Sequence, residues 1–134
     1  PKYVVLNIEI KYYNAKQDGM EGKIIHLFDK YNLYENTIIS SFNPFVLSRI
    51  KKINPQIPIA LIWNGKTKFI KYWVKYLNPS AFHININFVN HNIISWMHLK
   101  NTRVYAYTVN DKKNYEKAKK YELDGIFTDV NLFK

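Results

Sequence analysis

Glu9 and Lys11 stand two residues apart in Leu6-Asn7-Ile8-Glu9-Ile10-Lys11, so an extended chain projects both to one side. A carboxylate beside an ammonium suits a phosphate site with a divalent cation. Glu9 would ligate Mg2+ or Ca2+ through oxygen, and Lys11 would neutralise a phosphate oxygen. The competing reading of a Glu-x-Lys pair is a surface ion pair between strands. Ser40-Ser41-Phe42 closes a second apolar segment. No Gly-x-Ser-x-Gly surrounds these serines, so their expected part is hydrogen-bonding support rather than nucleophilic attack. His26 and His98 fall in helical patterns, and His91 has no partner at metal-ligand spacing. His83 alternates with Asn85 and Asn87 on the polar side of a strand pattern, near its start. The four glycines are too dispersed for a phosphate-binding loop, and the absence of cysteine excludes disulfides, thiol nucleophiles and thiolate metal sites.

These residues need a scaffold, and the pattern for one runs through the chain. Strand-like segments occur at 4–12, 37–42, 59–63, 82–88, 103–109 and 125–128, each rich in Ile, Val, Phe or Tyr and bounded by Asn, Pro, Gly or Asp. Amphipathic segments separate them. The first, 21–32, carries Ile24, Ile25, Leu27, Phe28 and Tyr31. The second starts at Asn43-Pro44, an N-cap followed by proline at the first helical position. A third spans 67–77 and a fourth 90–100, after which Asn101 suits a left-handed turn. Asp111 can cap a last helix reaching Tyr121, whose lysines read first as a solvated face.

Six strands alternating with five helices predict consecutive βα units and a parallel sheet. Two strands favour a barrel over an open doubly wound sheet. Leu6, Ile8 and Ile10 oppose Asn7, Glu9 and Lys11, and the apolar side of 82–88 opposes His83, Asn85 and Asn87. A barrel explains this alternation: apolar faces pack on helices, and polar faces line a mouth at the strands' C-terminal ends.

The ordered strings Leu6-Asn7-Ile8-Glu9-Ile10-Lys11, Ser40-Ser41-Phe42-Asn43-Pro44, Tyr105-Ala106-Tyr107-Thr108-Val109-Asn110 and Asp124-Gly125-Ile126-Phe127-Thr128-Asp129 resemble the later motifs of glycerophosphodiester phosphodiesterases. The resemblance covers essentially the whole chain. It implies a (β/α)8 TIM barrel that hydrolyses glycerophosphodiesters to an alcohol and glycerol 3-phosphate with a divalent cation, Mg2+ or Ca2+. By that resemblance Glu9 matches the carboxylate metal ligand and Lys11 the phosphate-contacting lysine, while Ser41, Phe42, Tyr107 and Asn110 belong to the pocket. Tyr107 stands where the family usually has Trp, Asn101 replaces a common Gly, and Asn131 departs from the usual Pro.

The family's two catalytic histidines and two further acidic ligands lie in its first two βα units, and none is recognisable here. Glu35-Asn36-Thr37 spells one early motif but stands several elements too late. The expected fold is therefore an incomplete (β/α)8 TIM barrel of about six βα units, strands three to eight, forming one domain over residues 1–134. A complete barrel has ~200 residues or more. The chain starts at Pro1, and the expected reading is a piece of a larger polypeptide, inactive alone. Two open sheet edges would then invite a homodimer or a preceding segment.

The expected partner is a phosphodiester small molecule. A net charge of +10 from 20 Lys+Arg and 10 Asp+Glu permits anionic partners without choosing among them. Its aromatics fall on helix stripes and strand interiors, where core packing is expected rather than specific nucleic-acid stacking. No stretch approaches the ~18 apolar residues of a membrane span, and no leader pattern opens the chain, which favours a cytoplasmic expectation. Two rival readings remain from other classes: a non-catalytic module binding phosphoesters or lipid headgroups, and a basic nucleic-acid-binding domain. A related phosphodiester-cleaving barrel of the sphingomyelinase D type is a further alternative.

Overall fold

A computed structural model describes residues 4–11 and 19–132. In chain order its elements are β1 (Leu6–Glu9), α1 (Met20–Tyr31), β2 (Thr37–Ser41), α2 (Pro44–Ile53), β3 (Ile59–Trp63), α3 (Ile70–Leu77), β4 (Ala81–Asn85), a 3-10 turn (Ile86–Phe88), α4 (His91–His98), β5 (Arg103–Tyr107), α5 (Lys112–Lys120) and β6 (Gly125–Ile126). The strands form one sheet in the order β1-β2-β3-β4-β5-β6, with every neighbouring pair parallel. A doubly wound sheet reverses its strand order at a switch point. This sheet never reverses, so same-handed crossovers put the helices on one face, and the other becomes concave. The result is a curled half-barrel, an incomplete (β/α)8 barrel.

Strand register sorts the side chains. Ile39, Ile59, Leu61, Phe82, Ile84 and Val104 face the helices and are buried to 1% exposure or less. They meet Phe28, Val46, Leu47, Ile50 and Met97 from the helical layer in one core. Asn7, Glu9, Ser40, Ala60, Ile62, His83, Tyr105 and Tyr107 lie on the concave side by the same register.

Short-range signals in the sequence are realised as local geometry. Asn43 Oδ1 accepts from the Phe45 amide with Pro44 at the first turn, and Asp111 Oδ1 accepts from the Asn114 amide. Asn101 is left-handed, as are Asn32 and Asn78 at the ends of α1 and α3. Several boundaries differ from expectation. The strand expected over 82–88 stops at Asn85, whose Oδ1 accepts from the Asn87 amide and turns the chain. The helix expected from Thr67 begins at Ile70, because an Asn64–Lys66 turn and a left-handed Phe69 come first. Tyr12, in the expected first strand, lies outside the described residues. Leu6 and Ile8, expected to pack on helices, are 49% and 37% exposed on the edge strand. Lys117, expected on a solvated face, donates to the Ile86 carbonyl at 2.8 Å and ties α5 to the 3-10 turn.

Candidate active site

The candidate residues gather where the strands end. Glu9 is the last residue of β1, Phe42 follows β2, and Tyr107 ends β5. The rings of Phe42 and Tyr107 meet edge to face at 6.2 Å, although two strands lie between their own. Only a strongly curled sheet allows that contact. Tyr107 also donates its hydroxyl to the Trp63 carbonyl at 2.9 Å, which roofs the ends of β3 and β4. Its pKa is pushed up to about 12, chiefly by burial and secondly by the negative charge of Glu9. Glu9 therefore acts on Tyr107 from the far side of the same mouth. Both Glu9 and Lys11 are exposed.

The other two expected pocket residues, Ser41 and Asn110, are held by hydrogen bonds to neighbouring segments. Ser41 faces away from the concavity; its Oγ donates to the Ile10 carbonyl at 2.8 Å and accepts from the Asn43 amide at 3.1 Å. Asn110 knits the segments after β5 and β6: its Oδ1 accepts from the Asp129 amide, and its Nδ2 donates to Asp129 Oδ2 at 3.0 Å. Ser40, expected with Ser41 to give hydrogen-bonding support, is the serine on the concave side. It pairs with Glu9 in register, is fully buried, and its Oγ has no hydrogen-bond partner among the described residues. Its place on the Glu9 side follows from alternation with Phe42, which was the available signal.

His83 lies deeper in the concavity, 3% exposed and packed edge-on against Phe127 at 4.7 Å and Tyr105 at 5.7 Å. Burial holds its pKa down to about 4, so the ring is neutral at physiological pH. A cavity of about 820 Å³ opens beneath it, lined by Asn7, Ile38, Lys100, Arg103 and Tyr105 among others. It lies towards the N-terminal ends of the strands, opposite the end where barrel chemistry gathers, so its size does not mark it as the reaction site.

The mouth therefore brings together a carboxylate from Glu9, a buried serine hydroxyl and two aromatic walls, with Lys11 exposed two residues beyond Glu9. Among the described residues no group of three or more His, Asp or Glu could hold a metal ion. A hard divalent cation takes six or more oxygen ligands, so Glu9 and its neighbours do not by themselves fit one.

Solved structures share this fold. A phosphodiesterase from Oleispira antarctica, determined in complex with the product sn-glycerol-3-phosphate, superposes with a TM-score of 0.71 at 24% identity, covering 93% of this chain and 51% of that one. A glycerophosphodiester phosphodiesterase from Parabacteroides distasonis gives 0.73 at 15% identity, covering 95% of this chain and 53% of that one. Among curated proteins, a glycerophosphodiester phosphodiesterase of Caldanaerobacter subterraneus is 30% identical over 130 residues, 96% of this chain and 53% of that protein. The chain thus spans about half the length of the curated relatives it matches. The model of the glycerophosphoryl diester phosphodiesterase family matches residues 3–131, and the chain belongs to that family.

Proposed function

We propose that this chain is the C-terminal part of a glycerophosphodiester phosphodiesterase barrel and contributes, within a larger polypeptide, to hydrolysis of a glycerophosphodiester to an alcohol and glycerol 3-phosphate. The observation that carries the reading is the convergence of Glu9, Phe42 and Tyr107 at one mouth in a chain matched to the family along nearly its whole length. Lys11 neutralises a phosphate oxygen, Phe42 and Tyr107 wall the pocket, and Ser40 offers its buried hydroxyl. Ser41 and Asn110 support the mouth through the backbone. A divalent cation, Mg2+ or Ca2+, would supply charge neutralisation at the phosphate, with Glu9 one of several oxygen ligands it needs.

The isolated chain is proposed to be inactive. Hydrolysis needs a general acid for the leaving alkoxide and a base for the nucleophile. The concave face carries His83, which is buried, neutral and committed to aromatic packing. His26, His91 and His98 lie in helices α1 and α4. A non-catalytic phosphoester-binding module would use the same Lys11 contact and differs in never turning substrate over.

The test is phosphorus NMR of glycerophosphocholine with the 134-residue chain in Mg2+ or Ca2+, beside amide-shift titration with glycerol 3-phosphate. The expected outcome is no turnover, together with shifts around the mouth that Lys11→Gln removes. Metal-dependent turnover by the chain alone, abolished by Glu9→Gln, contradicts the inactivity. Shifts confined to surfaces away from the mouth contradict the site.

A further inference from the structure

The acidic residues are distributed unevenly. All ten lie at positions 9–35 and 111–129, so residues 36–110, from β2 to the end of β5, hold nine Lys and Arg and no Asp or Glu. Within that stretch, α2 and α3 pack side by side and carry a cluster of aromatic rings on their outer surface. Phe45 meets Trp73 at 4.9 Å, Tyr72 meets Trp73 at 5.4 Å, and Tyr72 stacks on Tyr76 at 6.1 Å. Phe45, Tyr72 and Tyr76 are more than half exposed, and Phe69 is 78% exposed. Lys66, Lys68, Lys71 and Lys75 are interleaved with them and exposed. Phe69 also holds a left-handed backbone, φ 60°, which a bulky side chain rarely adopts.

We propose that this aromatic and lysine face docks on an anionic lipid bilayer. Tyr and Trp favour the headgroup level, Phe enters the acyl boundary, and flexible lysines reach lipid phosphates, each adding about fivefold to binding. Phe45 and Phe69 sit at helix N-termini, which follow strand C-terminal ends, so docking would hold the mouth towards the membrane. The face lies over the middle of the sheet, and a segment completing the barrel would join the edge strands β1 and β6 instead. A second copy fits poorly, because a two-fold contact here would set four lysines against four. Single-stranded nucleic acid fits less well than lipid: base stacking needs open ring faces, and Trp73, Tyr72 and Tyr76 already pack on one another.

Docking extends beyond the catalytic proposal and is read by binding alone. Vesicles of phosphatidylcholine, with or without 30% phosphatidylglycerol, are co-sedimented with the chain, roughly matched in lipid across a salt series. Expected are roughly tenfold or greater preference for anionic vesicles, weakening with salt, and a blue shift of tryptophan emission. Phe45→Ser with Phe69→Asn should weaken binding roughly tenfold; Asn accepts the left-handed backbone, and an unchanged urea midpoint shows that the fold is kept. Lys66, Lys68, Lys71 and Lys75 all changed to Gln should abolish the anionic preference. The proposal is overturned by absence of vesicle binding, by binding indifferent to both variants, by tighter binding to poly(U) than to vesicles, or by sedimentation showing a dimer that the aromatic variant dissolves.

Discussion

Gly65→Ala tests how the β3–α3 turn is held against the rim of the mouth. Gly65 has φ +83°, and a Cβ built there would lie 2.4–2.6 Å from three atoms at the tip of the Phe88 ring. Two costs follow. An L side chain in a left-handed conformation costs about 1 kcal/mol relative to glycine. The Phe88 ring, 42% exposed, can swing away, but it then leaves its contact with Trp63 at 5.8 Å. Such an aromatic pair contributes about 1 kcal/mol. The substitution should therefore destabilise the chain by ~2 kcal/mol, a fall of roughly 8 °C in melting temperature for a domain of this size. A double-mutant cycle by urea denaturation separates the terms. In a Phe88→Ala background the collision is gone, and Gly65→Ala should cost only the left-handed share, about 1 kcal/mol. A coupling energy within ~0.3 kcal/mol of zero would refute the collision reasoning.

Three further outcomes are expected. His83 has its folded pKa depressed to about 4 from 6.5, so the unfolded chain binds the extra proton first. Stability is then full above pH 6.5 and declines by about 3 kcal/mol as pH falls to 4; in urea titrations at pH 7.5 and 5, His83→Phe should flatten that slope. Asp124 Oδ2 accepts from the Val104 amide at 2.7 Å and contacts His98 Nε2 at 3.0 Å. Asp124→Ala should cost about 2 kcal/mol by orphaning the amide, and Asp124→Asn, which keeps an acceptor, distinctly less; equal losses would point to the exposed ion pair instead. Glu9→Gln removes the negative charge that helps to raise Tyr107, so the phenol should titrate at lower pH in carbon-13 tyrosine NMR. An unmoved Tyr107 would mean that the two residues do not share one mouth.

What was legible in the sequence depended on the range of the interaction. Caps at Asn43 and Asp111 and the left-handed turn at Asn101 are decided within a few residues, so side-chain type was enough. The 82–88 strand was drawn too long because apolar alternation continues past the point where Asn85 turns the backbone. Two site residues depended on curvature. Ser41 and Phe42 are adjacent, so one faces the helices when the other faces the mouth, and the phase became clear only from the contact between Phe42 and Tyr107. The part-buried ion pair of Arg49 with Glu21 joins residues 28 positions apart on different helices, and no local pattern announces it.

The unbroken strand order has a consequence for how the chain comes to be folded. Each strand pairs only with its neighbours in chain order, so each pairing closes the loop of a single βα unit. Nearest-neighbour closures of this kind let a sheet grow from a centre outward, one unit at a time, as repeat arrays do. The centre here is β3 and β4, whose residues are nearly all buried. Amide exchange should therefore be slowest in those two strands and quicken towards β1 and β6. An architecture of this kind can gain or lose a βα unit at either end without rethreading the rest.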